Sequence, residues 1–186
     1  MRIETAVAVA KIEPEGPPSS PSTEVRLEIR PARAGDLDGL LALENAVFAT
    51  DRLSRRSYRR FLSGRTAILL VATDGGALSG YALVLLRRGA APARLYSIAV
   101  DPGAQGRGIA AALMSACERA AAKRGATAMR LEVQVGNTRA LKLYEKLGYR
   151  VFGRYQSYYN DGGDALRLEK ALDDAAAAGV KGRRKR

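Results

Sequence analysis

The chain has 186 residues, 47% hydrophobic and 27% charged, which suits one domain with tails. It has no histidine and one cysteine, Cys117, which excludes imidazole bases, Ser-His and Cys-His pairs, intrachain disulfides and cysteine-cluster metal sites. The formal net charge is +12; residues 1–24 hold two basic and four acidic side chains and the last six residues hold five basic ones, so +9 falls on residues 25–180. Polyanions are the natural partners of such a chain: nucleic acid, an anionic surface or a phosphate-rich cofactor.

Residues 1–24 include Pro14, Gly16, Pro17, Pro18, Ser19, Ser20 and Pro21, the composition of a disordered arm. The apolar stretch 6–10 is too short for a signal-peptide core, and no run reaches 18 apolar residues. A cytoplasmic protein with no membrane partner is therefore expected. Val25, Leu27 and Ile29 alternate with charged residues, as in a strand. Asp36 stands where it can cap a helix bearing Leu37, Leu40, Leu41, Glu44 and Val47 at helical spacing. A second helix is predicted over 54–62. Strands over 67–72 and 80–86 flank a hairpin signal, Asp74-Gly75-Gly76. A strand over 95–100 stops before Pro102, and a glycine-punctuated turn leads into a long helix over 108–123. A strand over 128–135, a helix over 138–147 and strands over 149–158 and 164–170 complete an α/β order with a mixed sheet. Residues 172–186 read as a flexible basic tail, which leaves 25–171 as the domain.

The turn after the 95–100 strand carries Gly103, Gly106 and Gly108, followed by Ala110 and Ala111. Small residues there leave the first N–H groups of the long helix open to an anion, and the helix dipole favours negative charge at that end. Arg107 adds a cation. The segment lacks the Gly-Lys-Ser/Thr that closes a P-loop. Gly106, Gly108 and Ala111 formally match the dinucleotide fingerprint GxGxxA, but residues 101–105 separate them from the strand end. A glycine-rich turn that binds nothing fits the same residues.

The pattern Q-x-x-G-x-A, at Gln105, Gly108 and Ala110, follows a strand that ends Val-Asp-Pro. With it the chain resembles the GCN5-related N-acetyltransferases, or GNAT family. "LEVQVGNTRALKLYEKLGY" (131–149) and "YYNDGGDALRLEK" (158–170) are similar to segments of the RimI-like ribosomal-protein alanine acetyltransferases. The resemblance covers about residues 25–171. It implies the GNAT fold: a central, mostly antiparallel sheet of six to seven strands with about four flanking helices. It implies acetyl-CoA as cofactor, its pantetheine arm along the backbone of Ile98, Ala99 and Val100. Its pyrophosphate would lie on Gln105, Gly106, Arg107, Gly108, Ile109, Ala110 and Ala111, with Asn137 and Tyr144 near the thioester. No metal is implied.

Spacing also brings two proton handlers together. Leu131, Val133 and Val135 alternate with Glu132 and Gln134, which turns Glu132 away from the core face. Going out along the strand to Gly136 and back along the helix to Tyr144 brings that tyrosine to the level of Glu132. Glu132 can take a proton from an incoming amine, and Tyr144 can give one to a leaving thiolate; the resemblance assigns the same roles. By pattern alone Glu132 also fits a solvent-facing strand position, Asn137 a helix N-cap and Tyr144 a core site beside Leu141 and Leu147.

A carboxylate base suits an α-amine, which titrates near 8, better than a lysine at about 10.4. The expected acceptor is thus a protein or peptide N-terminus, with a lysine side chain or a small amine as the alternative. Arg52, Arg55, Arg56, Arg59 and Arg60 form one stripe on the second helix, a solvated face or a docking site for a ribosome-associated or other anionic partner. Arg55, Tyr158 and Tyr159 are candidate acceptor contacts. A nucleic-acid-binding module without catalysis is the alternative from another class. Cys117 is expected to pack within its helix.

Overall fold

A computed structural model of the chain describes residues 27–48, 51–87 and 92–172; the arm expected over 1–24, Val25 and all but the first residue of the expected tail lie outside the described residues. Seven strands and four α-helices run in the order β1 (Leu27–Pro31), α1 (Leu37–Val47), α2 (Arg55–Ser63), β2 (Ala67–Asp74), β3 (Ala77–Leu85), β4 (Ala93–Val100), α3 (Ile109–Ala122), β5 (Ala128–Gln134), α4 (Thr138–Lys146), β6 (Arg150–Tyr155) and β7 (Ala165–Ala171). They form one sheet of order β1-β2-β3-β4-β5-β7-β6. Every pairing is antiparallel except β4 with β5.

The β2–β3 hairpin turns through Gly75 and Gly76, both at positive φ (56° and 90°), the backbone that a tight hairpin demands. Two cores cover the two faces of the sheet. On one face, α3 and α4 pack Leu113, Met114, Cys117 and Tyr144 onto Leu95, Leu131 and Val133. On the other, α1 and α2 pack Leu37, Leu40, Leu43 and Tyr58 onto Val71, Tyr81 and Leu83. Glu44 occupies an apolar position of α1 and is 2% exposed. Its carboxylate accepts from the Leu53 N–H at 2.6 Å, from the Tyr58 hydroxyl at 2.8 Å and from the Tyr81 hydroxyl. Three donors satisfy the buried charge and tie the segment before α2 to the sheet. Among the described residues no helix is long and apolar enough to cross a membrane.

Two local expectations change. Asp36 stands at the N-cap of α1 but makes no capping bond to it. Its carboxylate is taken by the Arg33 N–H at 2.7 Å and by the Arg30 guanidinium at 2.7 and 2.8 Å, a charged donor stronger than a helix N–H. The strand expected over 149–158 ends at Tyr155 because Ser157 turns at φ 46° and donates its N–H to Asp164 at 2.8 Å.

Candidate active site

The parallel ladder between β4 and β5 consists of Ala93 opposite Met129 and Arg94 opposite Arg130. Beyond these pairs the two strands separate, and the edge of β4 that faces β5 has no strand partner among the described residues. A cavity of ≈ 180 Å³ lies beside that opening, lined by Ile98, Ala99 and Val100 of β4, the turn before α3, the first residues of α3, and one face of α4.

The turn is built for backbone exposure. The Asp101 N–H is held by the Ser79 carbonyl at 2.8 Å, and its carboxylate accepts from the Gly103 N–H at 2.9 Å. Gly106 and Gly108 both adopt positive φ, 79° and 75°, where a side chain would be strained. Gly108 is the N-cap of α3 and offers no capping side chain, so the first N–H groups of the 14-residue helix are left for a ligand. α3 approaches the sheet closely there. A Cβ on Gly80 would meet the Ala99 carbonyl at 3.0 Å and Ile109 and Leu113 at 3.2 Å.

Gln105, Gly106, Gly108, Ile109, Ala110 and Ala111 all line the cavity, as do Ile98, Ala99 and Val100. Arg107 does not; its guanidinium pairs with Asp74 at 2.7 Å at the end of β2. Asn137 caps α4 by accepting from the Ala140 N–H at 3.1 Å. Among the described residues that line the cavity the cationic one is Arg139, which sequence reasoning missed. Its signal was present: Arg139, Ala140, Leu143 and Tyr144 fall on one helical face. Gly80 was missed as well, since a glycine inside a strand does not reveal what packs above it.

Tyr144 is fully buried in the cavity wall, edge-on to Tyr149 at 5.7 Å, and its hydroxyl has no hydrogen-bond partner among the described residues. Burial, then the neighbouring Tyr159, pushes its ionisation above that of a free phenol, so it stays protonated. Glu132 is 4% exposed and lies on the other face of β5 from Leu131 and Val133. It does not line the cavity. It borders the β4–β5 opening from the far side, where Arg94 donates from Nε to its Oε2 at 2.9 Å and Nη2 of the same guanidinium forms an ion pair with that oxygen at 2.9 Å. Arg94 also donates to the Tyr158 hydroxyl at 3.0 Å. Tyr159 stands within electrostatic reach of both Glu132 and Tyr144: burial, then Tyr158 and Glu132, raises its own ionisation. Arg55 is exposed and paired with Asp38 of α1 at 2.5 Å. Burial pushes the Cys117 thiol up to about 12, so it is an inert packing group.

These features fit acetyl-CoA. Uncapped N–H groups suit a pyrophosphate, an unpaired strand edge suits an amide-bearing arm, and an orphan phenol needs a partner. The sequence model of the Acetyltransferase (GNAT) family matches residues 37–149, and the chain belongs to that family. It is an acetyl-CoA-dependent N-acetyltransferase of the RimI-like subgroup. A Bacillus subtilis (strain 168) candidate ribosomal protein bS18-alanine N-acetyltransferase is 28% identical over 144 residues, 77% of this chain and 94% of that protein. The ribosomal-protein-S18-alanine N-acetyltransferase of Escherichia coli superposes with a TM-score of 0.71 at 26% identity, covering 84% of this chain and 99% of that one. A candidate acetyltransferase of Salmonella typhimurium, solved with its cofactor acetyl-CoA, shares the fold (TM-score 0.69, 20% identity, 80% of this chain and 95% of that one).

Proposed function

We propose that the chain, through its 25–171 domain, acetylates the N-terminal α-amine of a protein or peptide by direct transfer. Glu132 is the general base and Tyr144 the general acid. The supporting observation is the placement of these two groups on either side of the β4–β5 opening: a buried phenol without a partner on the cavity side, and a buried carboxylate on the other. Acetyl-CoA supplies the thioester carbonyl that the amine attacks. The unpaired edge of β4 and the N–H groups of α3 hold and orient it. Glu132 takes the proton that the amine sheds, directly or through one water, and the Tyr144 hydroxyl supplies a proton to the departing sulfur.

The choice of an α-amine follows from proton availability. At pH 7 roughly a tenth of a free N-terminus is neutral, against well under a thousandth of a lysine. The exposed arginines of α2, Arg56, Arg59 and Arg60, suit docking to a ribosome-associated or other anionic partner in the cytoplasm.

Mass spectrometry of a peptide panel incubated with acetyl-CoA tests the acceptor, with free and blocked N-termini run beside lysines and polyamines. Acetylation should follow the free N-terminus. Acetylation confined to lysines or polyamines would sink the N-terminal assignment. Glu132→Gln and Tyr144→Phe should each slow transfer at least about tenfold, a floor below the roughly hundredfold or more typical of general acid–base groups, with acetyl-CoA still bound. Full turnover in both variants would refute their roles.

A further inference from the structure

Glu132 lies opposite Arg167 in the β5–β7 register, so both side chains stand on the sheet face away from α3 and α4. Over β2, β3 and β4 that face is covered by α1 and α2. Farther along, β6 is almost wholly exposed, with Phe152 at 41% and Tyr155 at 39%. These two rings enclose Arg167, whose guanidinium carbon lies 4.5 Å from each ring centroid. The enclosure has a local cause. The β6–β7 register shifts between Val151 and Gly153, so Phe152 is the extra residue of a bulge, while Gly153 leaves space that a Cβ would take, 3.4 Å from Arg167 Cδ.

The neighbouring carboxylates are already engaged: Glu132 with Arg94, Glu169 with Arg130, and Asp164 with Arg154. Among the described residues none pairs with Arg167, and its Nε is buried without a hydrogen-bond partner. A guanidinium stacked on two rings, with no carboxylate partner among the described residues, is prepared for a planar anion. Tyr155 stacks on Tyr158 at 5.3 Å, and Tyr158 accepts from the Arg94 that holds Glu132. The enclosure is thus continuous with the far side of the transfer site.

We propose that Arg167, between Phe152 and Tyr155, is a carboxylate-binding site, and that the preferred acceptor carries a carboxylate within about two residues of its reacting amine. Opposed Cβ atoms on antiparallel strands stand about 4.5–5.5 Å apart, and the Arg167 side chain runs from there over the β6 rings, so an anion bound to it lies roughly two residues of extended peptide from an amine at Glu132. The proposal rests on Glu132 being the base. The carboxylate is an Asp or Glu side chain near a peptide N-terminus, or the free α-carboxylate of an amino acid. The excess of arginine around the site disfavours polyamines and basic peptides.

The test measures kcat/KM for matched acceptors with the full chain: peptides bearing Asp or Asn, and Glu or Gln, at positions one to three; the same pairs beside a lysine in N-blocked peptides; and amino acids with their amides. The carboxylate member should be preferred about tenfold or more, as a charge-assisted contact allows. Arg167→Gln should bring each pair within about twofold by raising KM for the acidic member alone, and Arg167→Lys should fall between. Unchanged acetyl-CoA affinity in both variants controls for folding. Equal rates for acid and amide in every class, or a preference that survives Arg167→Gln, overturns the site while leaving the N-terminal acceptor standing. An Arg167-dependent preference seen only with lysine acceptors or amino acids supports the site and overturns the peptide N-terminus as acceptor. Full turnover in Glu132→Gln removes the premise and overturns the site as drawn.

Discussion

Gly80 gives a direct test of how the cofactor cradle is held. Gly80→Ala places a methyl group 3.0 Å from the Ala99 carbonyl and 3.2 Å from Ile109 Cγ2 and Leu113 Cδ1. The carbonyl belongs to the paired strand β4, and the two side chains belong to the first turns of α3. Ordinary carbon contacts lie at about 3.5–4.0 Å, so the helix start must lift by a few tenths of an ångström. Overpacking of this kind costs about 1–3 kcal/mol. For a domain of this size that lowers Tm by roughly 2–12 °C. The same lift draws the uncapped N–H groups away from the pyrophosphate, and losing about 1 kcal/mol of that contact weakens acetyl-CoA binding about fivefold. Differential scanning fluorimetry and isothermal titration read the two effects. Gly35→Ala is the control, because a methyl group there meets nothing within 4 Å. A Gly80→Ala protein with Tm within about 1 °C of the parent and an unchanged Kd would refute the close approach of α3 as the basis of the cradle.

Tyr144→Phe should separate activity from stability: removing a buried hydroxyl without a partner leaves the apo Tm unchanged or raises it, even as transfer slows. A marked loss of stability would mean that the hydroxyl is bonded in the apo protein. Arg139→Ala should raise the Kd for acetyl-CoA about three- to tenfold and flatten its salt dependence, whereas Arg107→Ala, held by Asp74, should change it less than twofold. Titrations in two salt concentrations check both. The Arg30 guanidinium beside Asp36, through its hydrogen bonds first, holds that carboxyl below the usual range. The unfolded chain therefore binds more protons, and the stability from this pair is present above about pH 3.9 and lost as pH falls through the lower native value. Asp36→Asn should show a shallower fall of Tm on acidification; an identical fall would exclude the pair as a contributor.

The order of strands and helices was legible in the chain because alternation and helical spacing are local properties, and so was the glycine turn before α3, because glycines at positive φ and an uncapped helix start are local as well. The cavity-lining positions from Ile98 to Ala111 followed from one contiguous segment. Side chains that choose among partners were not legible in this way. Arg107 pairs with Asp74 and Arg94 with Glu132 across gaps of 33 and 38 residues, and only the folded sheet brings them together.

By itself the sequence determined the chemistry available to this protein: with no histidine, imidazole proton transfer is excluded, and the glycine turn marks a helix start without a capping side chain. It also determined which face of β5 Glu132 occupies, because side chains alternate along a strand. Only the tertiary structure decided the rest. The parting of β4 and β5 sets Glu132 and Tyr144 on opposite sides of one opening, the bulge at Phe152 encloses Arg167, and Gly80 seats α3. The physical reason is range: torsional preference and periodicity act over a few residues, whereas charge pairing, close packing and strand register join residues far apart in the chain.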